Sequence, residues 1–260
     1  MNLELTKKSV LITGGSKGIG FACAESFAAE GCHVTLAARD VHSLEAAQLR
    51  LKETYPHVKI DICVADLSSS EDQVRLAQMA GDYDILVNNA GSNPSGTLTE
   101  TTEEDWRRSF DLKVFGYVNM TRLACQAMQK KNRGVIVNVI GFAGERLMAG
   151  YVIGSTANAG LIAFTRAVGS QSTNYGVRVV GVNPSLTATD RGEKLLKIWA
   201  EKDPSKILTE SDVLASMNLP FGRMATSAEI ADAVVFLASA RASYISGVVL
   251  NVDGGAAFRQ

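Results

Sequence analysis

Val10-Leu11-Ile12-Thr13-Gly14-Gly15-Ser16-Lys17-Gly18-Ile19-Gly20 runs from an apolar strand through a glycine-rich turn into the helical pattern Phe21 to Glu30. Without side chains at Gly14, Gly18 and Gly20 the turn stays open to a ligand, and the free N–H groups of the following helix point at the same spot. A phosphate is the expected guest. Spaced glycines also serve plain turns and close helix packing. Here a strand precedes the turn, a helix follows it, and a second strand stands at Cys32 to Ala38, which is the βαβ context that dinucleotide binding requires. Nucleotide binding is the reading adopted for this turn.

Outward from this unit the chain keeps alternating. Leu44 to Tyr55 has helical spacing and stops at Pro56, and Val58 to Val64 reads as a third strand. Asp66-Leu67 leads into a serine run that can cap a helix from Glu71 to Met79. Asp84 to Gly91 reads as a buried strand ending in the polar, small-residue turn Asn88-Asn89-Ala90-Gly91. One long helix is expected from Thr101/Thr102 through Asp111 and Lys113 toward Lys131, then a strand at Gly134 to Gly141, a helix at about Tyr151 to Thr173, and a strand at Val177 to Asn183. A polar segment follows Pro184, in which Leu195, Leu196, Ile198 and Trp199 have helical spacing. Ala228 to Ala238 is the last helix and Val248 to Val252 the last strand. This alternation over 260 residues predicts one α/β domain, residues 1–260: a doubly wound, Rossmann-type parallel sheet flanked by helices. Ligands of such sheets sit beyond the strand C-terminal ends, where the glycine turn, Asn89, Gly141 and Pro184 all fall.

Composition narrows the partners. A net charge of −1, with charges spread along the chain, leaves no electrostatic footprint for nucleic acid or an anionic membrane. Cys23, Cys32, Cys63 and Cys125 lie far apart, and no metal-ligand spacing links them to the three histidines, so buried thiols in a reducing compartment and no metal are expected. The start Met1 to Lys8 runs almost directly into the first strand, and no apolar run approaches membrane-spanning length; a cytoplasmic protein is expected.

Taken together, Thr13 to Gly20, Asp66-Leu67, Asn88-Asn89-Ala90-Gly91, Asn183-Pro184 with Thr189, and Asn251-Val252-Asp253-Gly254-Gly255 resemble the short-chain dehydrogenase/reductase family along essentially the whole chain. The resemblance implies a coenzyme site made by Gly14, Ser16, Lys17, Gly18, Ile19, Gly20, Arg39, Asp66, Leu67, Asn89, Ala90, Gly91, Pro184 and Thr189. Within it Asp66 meets the adenine, Asn89 lies along the ribose and Thr189 holds the nicotinamide amide. It also implies a homodimer or homotetramer, and a substrate lid at about residues 190–219. The choice of coenzyme follows from residue chemistry. An NAD site wants an acid at the end of the second strand, about 20 residues after the turn, whereas a 2′-phosphate wants a cation. Ala38 stands where the acid would be, Arg39 follows, and Lys17 adds a second cation, so NADP(H) is favoured over NAD(H); Asp40 is the carboxylate that competes with them.

Members of the family work with a tyrosine, a lysine four residues later, a serine on the fifth strand and an asparagine on the preceding long helix. Ungapped alignment of the flanks puts Gly141 at the serine, Gly154 at the tyrosine, Asn158 at the lysine and Lys113 at the asparagine. The usual set is absent, with lysine and asparagine exchanged. Tyr151, Gly154, Ser155 and Asn158 fall at i, i+3, i+4 and i+7, on one helical stripe. Lys113, Tyr151, Ser155 and Asn158 are therefore the candidate catalytic cluster, with Tyr151 and Lys113 as a displaced acid/base pair. The opposing reading, that Tyr151 packs in the core or an interface and Lys113 satisfies a buried carbonyl, stands beside it. A second alignment makes Tyr151 itself the family tyrosine but puts Ser155 at the lysine and Asn138 at the serine. Three functions are open at this point: an NADP(H)-linked oxidoreductase with a rearranged proton relay, a non-catalytic coenzyme-binding subunit that pairs with an active relative, or a lyase or hydrolase using space left by Gly141 and Gly154. Glu145 and Arg146 lie near the expected substrate mouth, as a substrate contact or a solvated pair.

Overall fold

The computed structural model describes residues 1–80, 83–201, 212 and 220–258. Apolar segments too short for helices form β1 (Ser9–Thr13), β2 (His33–Ala38), β3 (Ile60–Val64), β4 (Ile85–Asn88), β5 (Gly134–Val139), β6 (Val177–Pro184) and β7 (Val249–Val252). They pair in the order β3-β2-β1-β4-β5-β6-β7, and every pairing is parallel. Between them run α1 (Gly18–Ala29), α2 (Val41–Thr54), α3 (Ser70–Ala80), α4 (Glu103–Ser109), α5 (Gly116–Lys131), α6 (Val152–Ser172), α7 (Asp190–Glu201) and α8 (Ser227–Ala238). The seven-stranded sheet and its helices are the doubly wound architecture that the alternation predicts. No helix among the described residues is long and apolar enough to cross a membrane.

Both sheet faces are covered, so in the central strands side chains pointing either way are buried, while Val64 on the edge strand β3 and Leu250 on the edge strand β7 are exposed. Val10 and Ile12 pack with Phe27, Leu36 and Val234 on one face. Leu11, Leu86 and Ile136 pack with Leu76, Met120 and Met128 on the other. The order of connection reverses between β1 and β4, and the ends of both strands open there onto one crevice, as expected of a topological switch point. Local chemistry sets the helix starts. Asp40 accepts from the N–H of Ser43 at 2.7 Å and caps α2, which begins at Val41, three residues before the expected start at Leu44. Thr102 with Asp105 forms a capping box on α4, and Thr226 with Glu229 forms one on α8.

The expected single helix from Thr102 to Lys131 is interrupted. Between α4 and α5 the backbone takes a π-helical turn over Phe110–Phe115. One extra residue per turn rotates the face that follows, and Lys113 lies inside this turn. Of the expected lid, only the part to Glu201 and Asp212 lies within the described residues; there α7 is helical, in line with the spacing of Leu195, Leu196 and Ile198. The four cysteines are buried and unpaired, and burial pushes the Cys23 thiol up to about 12.

Candidate active site

The glycine-rich turn needs its glycines for two reasons. Gly14 and Gly18 have φ of +65° and +57°, a region that disfavours side chains. Gly20 instead lies against the Gly14 carbonyl, where a Cβ would overlap it; it serves packing and does not line the cavity above. Asn89 fastens the turn from β4: its Nδ2 donates to the Thr13 and Gly14 carbonyls, both at 3.1 Å. Thr13 Oγ1 returns the tie, accepting from the N–H groups of Asn89 at 2.9 Å and Ala90 at 3.2 Å. No side chain caps the start of α1, whose N-cap residue is Lys17, so its first-turn N–H groups face the crevice uncapped.

A cavity of about 620 Å³ runs from this turn to β5, α6 and α7. Gly14, Ser16, Lys17, Gly18, Ile19, Arg39, Leu67, Asn89, Ala90, Gly91, Pro184 and Thr189 all line it. Asp66 does not: its Oδ1 accepts from the Ser68 N–H at 2.9 Å and hydroxyl at 2.8 Å, so the carboxylate closes the turn after β3. Lys17, Arg39 and Ser43 stand at one end of the cavity with Asp40. The hydrogen bonds from Ser43, side chain first, hold the Asp40 carboxyl below its ordinary range; the anion is thereby occupied at the α2 N-terminus. Thr189 Oγ1 accepts from the Gly192 N–H at 3.1 Å, and a Cβ on Gly18 would lie 3.3 Å from the Thr189 methyl. An uncapped helix start, positive-φ glycines and a cation pair at the far end together fit a dinucleotide with a phosphorylated ribose.

At the other end of the cavity, the candidate catalytic residues separate. Lys113 is buried, and its Nζ donates to the Ile140 carbonyl at 2.7 Å. Burial above all, then the Arg191 guanidinium, pushes its ammonium down to about 7. Its stem runs over Gly91, where a Cβ would lie 2.9 Å from Lys113 Cδ. Tyr117, one turn on, donates to the next carbonyl back, Val139, at 2.8 Å.

Tyr151 is the N-cap of α6, held through its neighbours: the Gly96 N–H donates to the Gly150 carbonyl at 2.8 Å and the Val152 N–H to the Gly96 carbonyl at 3.2 Å. Its ring occupies the space beside Gly154, where any Cβ would overlap it. Its hydroxyl accepts from Arg191 at 3.2 Å. The same guanidinium donates to Ser92 Oγ at 2.6 Å and to the Asn93 carbonyl at 2.9 Å. The expected Tyr151–Lys113 pair is corrected accordingly: the cation on the tyrosine is Arg191, because Lys113 is spent on Ile140.

Two further expectations are corrected. Ser155 does not join the cluster: its Oγ accepts from the Met148 N–H at 3.0 Å and donates to the Met148 carbonyl at 3.4 Å, tying the preceding loop to α6. Nor do Gly141 and Gly154 leave open room, since Asn158 Nδ2 lies 2.8 Å from where a Gly141 Cβ would be and Tyr151 fills the space at Gly154. Glu145 and Arg146 face away from the cavity lining: Glu145 bonds Arg166 at 3.2 Å and Asn251 at 2.8 Å, and Arg146 bonds the Ala256 carbonyl at 3.1 Å.

Arg191 is the functional candidate that sequence reading passes over. It follows Thr189-Asp190 as one basic residue among several in a charged helix, and its partners lie 40 and more positions away. Gly96, which brackets Tyr151, is equally silent in sequence.

The chain matches the family model for short chain dehydrogenase over residues 8–197, and it belongs to that family. It is 33% identical over 265 residues to 3-oxoacyl-(acyl-carrier-protein) reductase from Chlamydia muridarum, covering 99% of this chain and 100% of the relative. Its fold is similar to that of L-sorbose reductase from Gluconobacter frateurii complexed with NADPH and L-sorbose, with a TM-score of 0.91, 30% identity and all of both chains covered. It is also similar to an NADPH-bound short chain oxidoreductase from Pseudomonas aeruginosa PAO1 containing an atypical catalytic center, with a TM-score of 0.86, 28% identity, and 97% and 98% of the two chains covered.

Proposed function

We propose that this protein is an NADP(H)-dependent oxidoreductase that interconverts a carbonyl and an alcohol, with Tyr151 as acid/base and Arg191 as the residue that orients it. The family's usual asparagine, serine, tyrosine and lysine are read as replaced by a rearranged set. The observation that carries this reading is the 3.2 Å contact between the guanidinium and the Tyr151 hydroxyl, in the same cavity as the glycine turn. Arginine only donates, so the tyrosine oxygen accepts from it and keeps its own proton for the cavity. When that proton leaves, the phenolate already faces a cation, and the contact becomes a charge-assisted hydrogen bond.

Gly14, Ser16, Lys17, Gly18, Ile19, Leu67, Asn89, Ala90, Gly91, Pro184 and Thr189 would hold the coenzyme, and Lys17, Arg39 and Ser43 its 2′-phosphate. NADPH in two similar solved structures supports NADP(H) binding; the preference over NAD(H) is our reading of Lys17 and Arg39. When bound, the dinucleotide supplies the hydride for the carbonyl carbon. Tyr151 gives its O–H proton to the carbonyl oxygen in reduction, and takes it back in oxidation. We assign α7 to a lid over the substrate, and a homodimer or homotetramer to the assembly.

The test is fluorescence titration with NADPH, then turnover of activated carbonyls such as 2,3-butanedione and ethyl 4-chloroacetoacetate. Tyr151→Phe is expected to lower kcat by about 10²–10⁴-fold with the NADPH Kd unchanged. Equal turnover by the variant refutes the role of Tyr151. NADPH binding without hydride transfer to any carbonyl favours a non-catalytic subunit, and product formed without coenzyme favours a lyase or hydrolase.

A further inference from the structure

Among the described residues, the buried polar side chains lining the cavity are Lys113, Thr187 and Asn158. Lys113 bonds the Ile140 carbonyl and Thr187 bonds the Ser185 carbonyl. The Asn158 side chain makes no hydrogen bond to the described residues: it is 3% exposed, and its Oδ1 is buried without a hydrogen-bond partner. A buried carboxamide left without partners costs free energy; its Oδ1 only accepts, so the N–H groups on Nδ2 are the part of it that a carbonyl oxygen can complete. Its Nδ2 lies 2.8 Å from where a Gly141 Cβ would stand. Gly141, directly after the Ile140 that Lys113 binds, has a φ of +135°. The glycine is therefore required twice, by its backbone angle and by the amide that occupies its side-chain space.

We infer that the Asn158 amide N–H, reaching past Gly141, grips the substrate's carbonyl oxygen as the second donor beside the Tyr151 hydroxyl. This rests on the carbonyl/alcohol reading given above. Charge develops on that oxygen as hydride reaches the carbon, and a fixed donor aimed there stabilises the transition state more than the ground state. Tyr151 transfers its proton; Asn158 donates a hydrogen bond and keeps its protons. The pair of donors lies on one helix, α6, with Tyr151 at its N-cap and Asn158 two turns along. Glycine at 141 and asparagine at 158 act as one unit: a side chain at the first would displace the amide of the second.

The experiment uses the full chain with NADPH and 2,3-butanedione. Asn158→Leu removes both donors at similar volume, and Asn158→Asp keeps the shape while removing the N–H groups. Each is expected to lower kcat/KM by about 10²–10³-fold, with the NADPH Kd within about twofold of the parent protein. Gly141→Ala is expected to produce a similar loss that does not add to that of Asn158→Leu in the double variant. A purely structural role would instead weaken NADPH binding and activity together, with additive effects. If the parent protein reduces the dione and both Asn158 variants keep more than about a third of its kcat/KM, the donor role is overturned while Tyr151 stands; if the parent binds NADPH but reduces no carbonyl, both fall together.

Discussion

Replacing Lys113 by methionine tests the burial of this ammonium without reference to any substrate. Methionine is nearly as long and unbranched, so it can follow the same path over Gly91. Burial first, then Arg191, lowers the lysine from 10.5 to about 7. The unfolded chain takes up the proton below about 10.5, the folded chain only below about 7. Between those values the unfolded state binds more protons, so stability rises with pH; below about 7 the whole cost of charging the buried amine is present. That gap corresponds to about 5 kcal/mol. Against it, methionine leaves the Ile140 carbonyl without its 2.7 Å donor, a loss of about 1–3 kcal/mol. At pH 6 the variant is therefore expected to be more stable than the parent by about 2–4 kcal/mol. At pH 9.5 only about 1 kcal/mol of the charging cost remains, and the variant is level with the parent or weaker by up to about 2 kcal/mol. Urea unfolding at both pH values and one ionic strength measures this. A difference between variant and parent that does not change with pH refutes the argument, and so does one that grows in the variant's favour toward pH 9.5.

Lys17→Ala and Arg39→Ala are each expected to raise the Kd for NADPH by about tenfold to a hundredfold and to leave NADH nearly untouched, read by fluorescence titration. Equal losses for both coenzymes would mean that neither cation meets a 2′-phosphate. Gly154→Ala pushes a Cβ into the Tyr151 ring and is expected to cut turnover at least about tenfold, although alanine favours the helix by about 1 kcal/mol. Full activity in that variant would show the ring to be seated elsewhere.

Most of the fold is legible because its causes are local. The buried strands announce themselves as apolar runs, and the covered faces of a parallel sheet explain why Val10, Leu11 and Ile12 are apolar in succession. The π turn at Phe110–Phe115 is not legible, since it shifts the phase between two helical segments that each keep their own periodicity. In the site, Gly14 and Gly18 are readable because backbone angle dictates glycine. Tyr151 and Ser155 show the limit of spacing. The stripe through both assumes that the helix already includes Tyr151, but Tyr151 is its N-cap with φ of −141°, and Ser155 turns to Met148. Arg191 on Tyr151 and Lys113 on Ile140 span 40 and 27 positions, distances at which only tertiary packing selects partners.

The three bonds of Arg191 carry a consequence for traffic through the cavity. Its hydrogen bonds to Ser92, Asn93 and Tyr151 all originate in the first turn of α7, so any swing of that helix wide enough to withdraw the guanidinium breaks them as a set. With the doorway ajar in this way, Tyr151 would stand without its cation; under the proposed roles of α7 as lid and Tyr151 as acid, admission of a reactant and arming of the acid would be a single event.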